Sequence, residues 1–202
     1  MVSPAEILQP HLTSGHLFLA SDVGVKGYVL QRQVEAGKLE RILHGVYLST
    51  AVVHHPLIEE GAVSLRTPNA VVGLLSALVY HELTTEWARG VWILIPRTQA
   101  PPQSQELDIH AIRVLPESID PAKDADLGIM TVAVHGVSMR MTDPIRTVVD
   151  CLKHKRRIRR GVALDSLRAL RRSEHWDGGR FYQLARQFGV WSGVQLYLEG
   201  MR

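Results

Sequence analysis

KGYVLQRQVEAGKLERILHGVYLS, residues 26–49, carries two periodicities in succession. Val29, Leu30 and Val34 recur at helical spacing, which predicts an amphipathic helix over 26–36 with those three side chains inward. Gly37 follows at the position expected of a C-cap glycine. Residues 39–43 and 46–48 are then two short strand-like runs around His44-Gly45, the pattern of a hairpin. Working upstream, Ile7, Leu8 and Leu12 mark a first short helix, broken by Thr13-Ser14-Gly15. A second apolar segment, 17–23, is closed by Gly24. Helix, helix, turn, helix and hairpin within about 50 residues is the layout of a winged helix-turn-helix. Residues 1–52 are therefore expected to form such a domain.

In that layout the third helix enters a major groove, and its exposed polar residues reach base edges. Gln31 and Arg32 are the candidates for base contact, with Gln33 beside them; Lys26, Arg41 and His44 are candidates for phosphate or groove contact. The charge pattern pulls the other way. Residues 1–50 hold four Lys and Arg against four Asp and Glu, and a neutral winged helix also suits a protein-binding or structural role.

Working downstream, Pro56 marks a boundary, and 56–202 is expected as a second domain. Thr67 as N-cap with Pro68 at the first helical position predicts a buried helix over 69–81. Residues 90–96 form a continuous apolar run of strand type, and 107–115 alternates as a second strand. Residues 129–135 and 137–141 predict a hairpin with its turn at His135-Gly136. Asp143 as N-cap before Pro144 predicts a helix reaching Lys153, and further helices are expected at 162–171, 179–188 and 192–199. The fold class is α+β, a winged helix-turn-helix followed by a mixed C-terminal domain with helices concentrated at its end.

Composition narrows the function. The chain has 202 residues, 46% hydrophobic and 21% charged, ordinary values for a soluble globular protein rather than a disordered one. Cys151 is the sole cysteine, so neither an intrachain disulfide nor a cysteine zinc cage is available, which fits a reducing compartment. The N-terminus lacks the pattern of a secretory signal, and the apolar stretch 69–80 is shorter than the ~20 residues a membrane span needs. A cytoplasmic location without membrane attachment is expected. The net charge of +3 hides a strong asymmetry. Residues 151–172 contain nine Lys and Arg against the single acid Asp165, while the rest of the chain holds 14 bases and 19 acids. Such a patch attracts polyanions. Lys153, Lys155, Arg156, Arg157, Arg159 and Arg160 are candidates for gripping a DNA backbone.

Several short motifs combine in a recognisable order. Gly37-Lys38-Leu39-Glu40-Arg41-Ile42, Gly45-Val46-Tyr47 and His55-Pro56 open it; Thr67-Pro68-Asn69-Ala70-Val71, Ser76-Ala77-Leu78, His81 and Leu83-Thr84 continue it. Val91-Trp92-Ile93, Ile95-Pro96-Arg97 and the run from Asp143-Pro144 to Asp150-Cys151 complete it. In this order, over about 18–197, the chain resembles the AbiEi-type antitoxin family of transcriptional regulators from type IV toxin–antitoxin systems. The resemblance implies a winged helix that binds operator DNA and represses its own operon. It also implies functional pairing with a nucleotidyltransferase-like toxin, countered without a stable complex, and a C-terminal domain associated with antitoxicity. Residues 26–36 match the recognition-helix position and 41–47 the wing. Asp143-Pro144-Ile145-Arg146-Thr147 and Asp150 match a family signature of structural character. Two positions depart from the family pattern: Glu82 replaces its usual glycine, and Val25-Lys26-Gly27 replaces its Ser-Arg. Gly27 lowers helix propensity by about 1 kcal/mol relative to alanine.

Glu106, Asp108 and His110 alternate on one strand face, as metal ligands can, but no Glu-x-Lys partner follows. Asp124 and Asp126 read as a solvated turn, and none of the ten histidines has zinc spacing. Cys151 falls on an apolar helix face, where an inert buried thiol is the usual outcome, and Gly178-Gly179 lacks the strand and lysine of a phosphate loop. The expectation is a non-enzymatic regulator of double-stranded DNA with no cofactor or metal. Two rivals stand beside it: a protein-interaction module docking an acidic partner, and a metal-dependent nuclease using Glu106 and Asp108.

Overall fold

Turn chemistry sets the order of the elements in the computed structural model, which describes residues 4–200. The chain opens with α1 (Pro4–Thr13), β1 (Phe18–Leu19), α2 (Ala20–Val23) and α3 (Gly27–Glu35). Gly37, at φ +66°, ends α3 and admits the hairpin of β2 (Leu39–Leu43) and β3 (Val46–Ser49). These strands form an antiparallel sheet in the order β1-β3-β2. Leu8, Phe18, Val23, Leu30, Leu39 and Tyr47 make its small core.

The remaining chain continues with α4 (Ile58–Arg66), β4 (Val71–Val72), α5 (Leu74–Tyr80), β5 (Val91–Pro96) and β6 (Ile109–Val114). The hairpin of β7 (Ile129–Val134) and β8 (Val137–Thr142) follows, its turn made by His135 (φ +44°) and Gly136 (φ +79°). Helices α6 (Pro144–Lys153), α7 (Lys155–Ile158), α8 (Arg160–Arg172), α9 (Gly178–Gln187) and α10 (Trp191–Glu199) complete it. The five strands run in the order β6-β5-β4-β8-β7, mixed parallel and antiparallel. The chain is thus mixed α+β with helices gathered at its end. No helix among the described residues is long and apolar enough to cross a membrane.

The expected helix over 69–81 is corrected. Thr67 and Pro68 end α4 instead of starting a helix, since the Thr67 N–H bonds back to the Val63 carbonyl at 2.9 Å. Val71 and Val72 pair with Leu94 and Ile93, and only after Gly73 does the chain turn into α5. Nearly continuous burial over 70–78 erased the period that separates the two structures. Helix α4 itself was not anticipated. Gly61 sits in its interior because a Cβ there would meet Val134 Cγ1 at 2.8 Å, so the residue that weakens the helix signal is the one that lets α4 pack on β7.

The central sheet is covered on both faces. Trp92 and Leu94 point into a core shared with α5, α6, α8 and α9. Val91, Ile93 and Ile95 point the other way, into a core shared with α4 and with Leu43, Val46 and Leu48 of the N-terminal hairpin. One apolar cluster therefore runs across residues 52–56. At the same junction the Leu17 N–H donates to the His135 carbonyl (2.8 Å) and the His55 N–H donates to His135 Nε2 (3.0 Å). Because Nε2 accepts, Nδ1 carries the proton and donates to the Gly15 carbonyl at 2.9 Å. A single neutral imidazole thus ties three segments together.

The helical layer is pinned by a buried cation. Asp143 caps α6 by accepting from the Arg146 N–H at 2.7 Å. The Arg146 side chain, 1% exposed, donates to Asp150 Oδ2 (2.9 Å), the Leu127 carbonyl (2.7 Å) and the Ser118 carbonyl (3.2 Å). Its guanidinium also lies 3.7 Å over the Phe188 ring. Burial pushes the Asp150 carboxyl up and Arg146 opposes that shift.

Two expected outcomes follow from these contacts. Arg146→Ala leaves Asp150 buried without its partner and should cost about 3–5 kcal/mol in urea unfolding; a loss under about 1 kcal/mol would contradict the pin. His135→Phe removes the acceptor of the His55 N–H, a loss of about 1–3 kcal/mol. Amide exchange at His55 should accelerate while Leu17, bonded to the backbone carbonyl, stays protected.

Candidate nucleic-acid interface

Helix α3 is amphipathic in the manner its sequence requires. Leu30 is buried, Val29 and Val34 are half-buried, and the opposite face is solvent-exposed. Lys26, Gln31 and Arg32 lie on that exposed side, joined by Tyr28 at 63% exposure. Tyr28 was missed from sequence because an aromatic next to Val29 and Leu30 reads as core. Gln31 Nε2 donates to Glu35 Oε1 at 3.1 Å, one turn along the helix. Lys26 and Arg32 form no ion pair among the described residues.

The hairpin presents His44 at its exposed tip. Arg41, by contrast, is engaged: it pairs with Glu106 at 3.3 Å, across to the loop before β6. That loop holds Glu106 through Ser104 as well, and the Ser104 hydrogen bond and Arg41 both keep its carboxyl below the usual range. Glu40, the neighbour of Arg41 on β2, meets His54 Nε2 at 3.0 Å.

The basic segment is not one continuous strip. Ile158 is buried and anchors α7, so the surrounding cations diverge. Lys153, Lys155 and Arg160 border a cleft beside α10, lined by Val194 and Tyr197. Arg157 and Arg159 face a different groove, and Arg159 pairs there with Glu86. Lys155, Arg156, Arg157 and Arg160 form no ion pair among the described residues. His154, between α6 and α7, is held below its ordinary pKa by burial.

The acidic and histidine candidates take structural partners. Besides Glu106, His110 stacks on Trp92 with ring centroids 4.3 Å apart and bonds the Arg89 carbonyl at 2.8 Å. Asp108 is tied to the sheet only through its backbone, its carbonyl accepting from the Val91 N–H at 2.8 Å, and its carboxylate forms no ion pair among the described residues. Asp124 is not a freely solvated turn residue: it binds Arg140 in a half-buried ion pair. His81 Nε2 lies 2.8 Å from the Thr142 carbonyl, and burial lowers its pKa. Cys151 is buried, and desolvation pushes its thiol well up. Among the described residues no group of three or more His, Cys, Asp or Glu side chains is placed to hold a metal ion.

No family model and no curated protein matches the chain. Among solved structures it is similar to the crystal structure of the RV2827C protein from Mycobacterium tuberculosis. The two share 11% identity and a TM-score of 0.50, over 94% of this chain and 78% of that one. At that identity the likeness is one of fold: the mixed α+β arrangement extends over nearly the whole chain.

Proposed function

We infer that the protein is a non-enzymatic, cytoplasmic DNA-binding regulator whose N-terminal unit is a winged helix-turn-helix. The observation that carries this reading is the outer face of α3, where Lys26, Tyr28, Gln31 and Arg32 are exposed on a helix whose other face is locked by Leu30. A helix of this size fits a major groove, with Gln31 and Arg32 reading bases and Lys26 and His44 contacting phosphate or groove walls. Lys155, Arg156 and Arg160 add backbone contacts that carry no sequence information. The resemblance to AbiEi-type antitoxins extends the reading to repression of the protein's own operon and opposition to a nucleotidyltransferase-like toxin without a stable complex. Arg41 takes a smaller role than its position in the wing suggests, since Glu106 already neutralises it.

A second reading has an observation of its own. The N-terminal unit is charge-balanced, and Gln31 and Arg41 are both engaged within the protein. That suits a module that docks an acidic partner protein through the basic segment.

Titration against a labelled fragment of the protein's own upstream region, with random DNA as competitor, separates the two. Specific retention that falls steeply between about 50 and 200 mM salt is expected for the regulator. Retention absent even at low salt favours the protein-docking module. Arg32→Ala should cost about 1–3 kcal/mol at the specific site only; equal loss on random DNA would remove it from base reading. The double change Lys155→Ala with Arg156→Ala should flatten the salt slope by about 2 on every sequence. An unchanged slope would exclude α7 from the DNA contact.

A further inference from the structure

Away from α3, an open groove of about 940 Å³ lies between the 84–90 loop and the junction of α7 with α8. Its lining combines aromatic rings with cations. Trp92 and the His110 ring stacked on it belong to the lining, and Trp87 stands beside them at 88% exposure. Arg89, Arg157 and Arg159 supply three positive charges, with Glu86 as the one acid among the lining residues. A large aromatic left this open has a free π-face, which stacks on a nucleobase irrespective of the base's identity. The cations line the same groove, where a phosphate would meet them.

Three further details fit a ligand site rather than an incidental groove. The Trp92 Nε1–H is buried without an acceptor among the described residues, a costly state for a donor. His110 donates Nε2–H to the Arg89 carbonyl, which fixes its ring against Trp92 in the groove wall. Arg159 has φ +68° and ψ 132°, a backbone state that side chains other than glycine rarely occupy, and its guanidinium is held by Glu86. Strain of this kind persists where surrounding contacts over-determine it, and it collects at ligand clamps.

We propose that this groove binds an unpaired nucleotide, with its base on Trp87 and its phosphate on Arg89 and Arg157. Arg159 and Glu86 position the wall of the site. Duplex DNA does not suit it, because paired bases are already stacked and present no face to Trp87. The site is separate from α3 and does not rest on the duplex-binding reading.

Intrinsic tryptophan fluorescence of the full chain tests the proposal in the absence of duplex DNA. Adenosine 5′-monophosphate, a short oligothymidylate of about eight nucleotides and inorganic phosphate are titrated separately. Saturable quenching by the mononucleotide identifies a free nucleotide as sufficient. Quenching by the oligonucleotide alone identifies an unpaired strand segment; either result supports the site. Arg157→Ala, which keeps all the tryptophans, should weaken that binding by about tenfold or more; followed by calorimetry, because they remove the fluorescent reporter, Trp87→Ala should weaken binding likewise while Trp87→Phe retains it. Absence of saturable quenching by both nucleotide probes up to millimolar concentration overturns the proposal. So does binding that survives Trp87→Ala with unchanged affinity, or an equal response to phosphate alone.

Discussion

The buried guanidinium of Arg146 is the constraint on which the C-terminal half depends. A charge taken out of water is tolerable only when it is paired and hydrogen-bonded, and here Asp150 and the Leu127 and Ser118 carbonyls each accept from one of the three guanidinium nitrogens while the Phe188 ring covers its face. Those partners come from α6, from the 116–128 connection and from the end of α9, so one side chain fixes three segments at once. Gly128 enforces the closeness, since a Cβ there would approach Arg146 Cβ to 2.7 Å. The direction of α6 then determines where α7 begins, and hence where the basic side chains project. Lys153, the last residue of α6, lies 5.3 Å from the same Phe188 ring.

The N-terminal unit is joined to this scaffold by different physics. An apolar cluster runs from Leu43, Val46 and Leu48 through α4 into the central sheet. His135 and the Arg41–Glu106 pair add directional contacts at the edges of that cluster. The orientation of α3 relative to the body is therefore tied to packing and not left to a linker. Electrostatics divides the cations into two sets. Arg41, Arg140, Arg146, Arg159 and Arg168 are neutralised by acids within the protein. Lys26, Arg32, Lys155, Arg156, Arg157 and Arg160 have no such partner among the described residues, and their field is available to an anion.

Local chemistry was legible in the sequence, and long-range pairing was not. The α3–hairpin module, the His135-Gly136 turn and the Asp143-Pro144 helix start depend on neighbours within a few residues, so caps, glycines and periodicity reveal them. The α+β class followed from those elements. Strand β4 was hidden because burial on both sides leaves no alternation to read, and helix α4 because Gly61, which obeys a contact with Val134 about seventy residues away, weakens its helix signal. For the candidate interface, residue types could be named, but Arg41 could not be matched to Glu106, nor Arg159 to Glu86, before the strands and loops met in space. The exposure of Tyr28 and Trp87 was equally unreadable, since aromatics default to the core.

Amide hydrogen exchange on the protein with and without its upstream duplex tests the central claim most directly, because it reports which backbone the DNA covers. The account predicts new protection across Gly27–Glu35 and at the hairpin tip around His44, with weaker protection along α7. Protection confined to α7 and the ends of its neighbouring helices, or none at all on a duplex retained at low salt, would contradict recognition by α3.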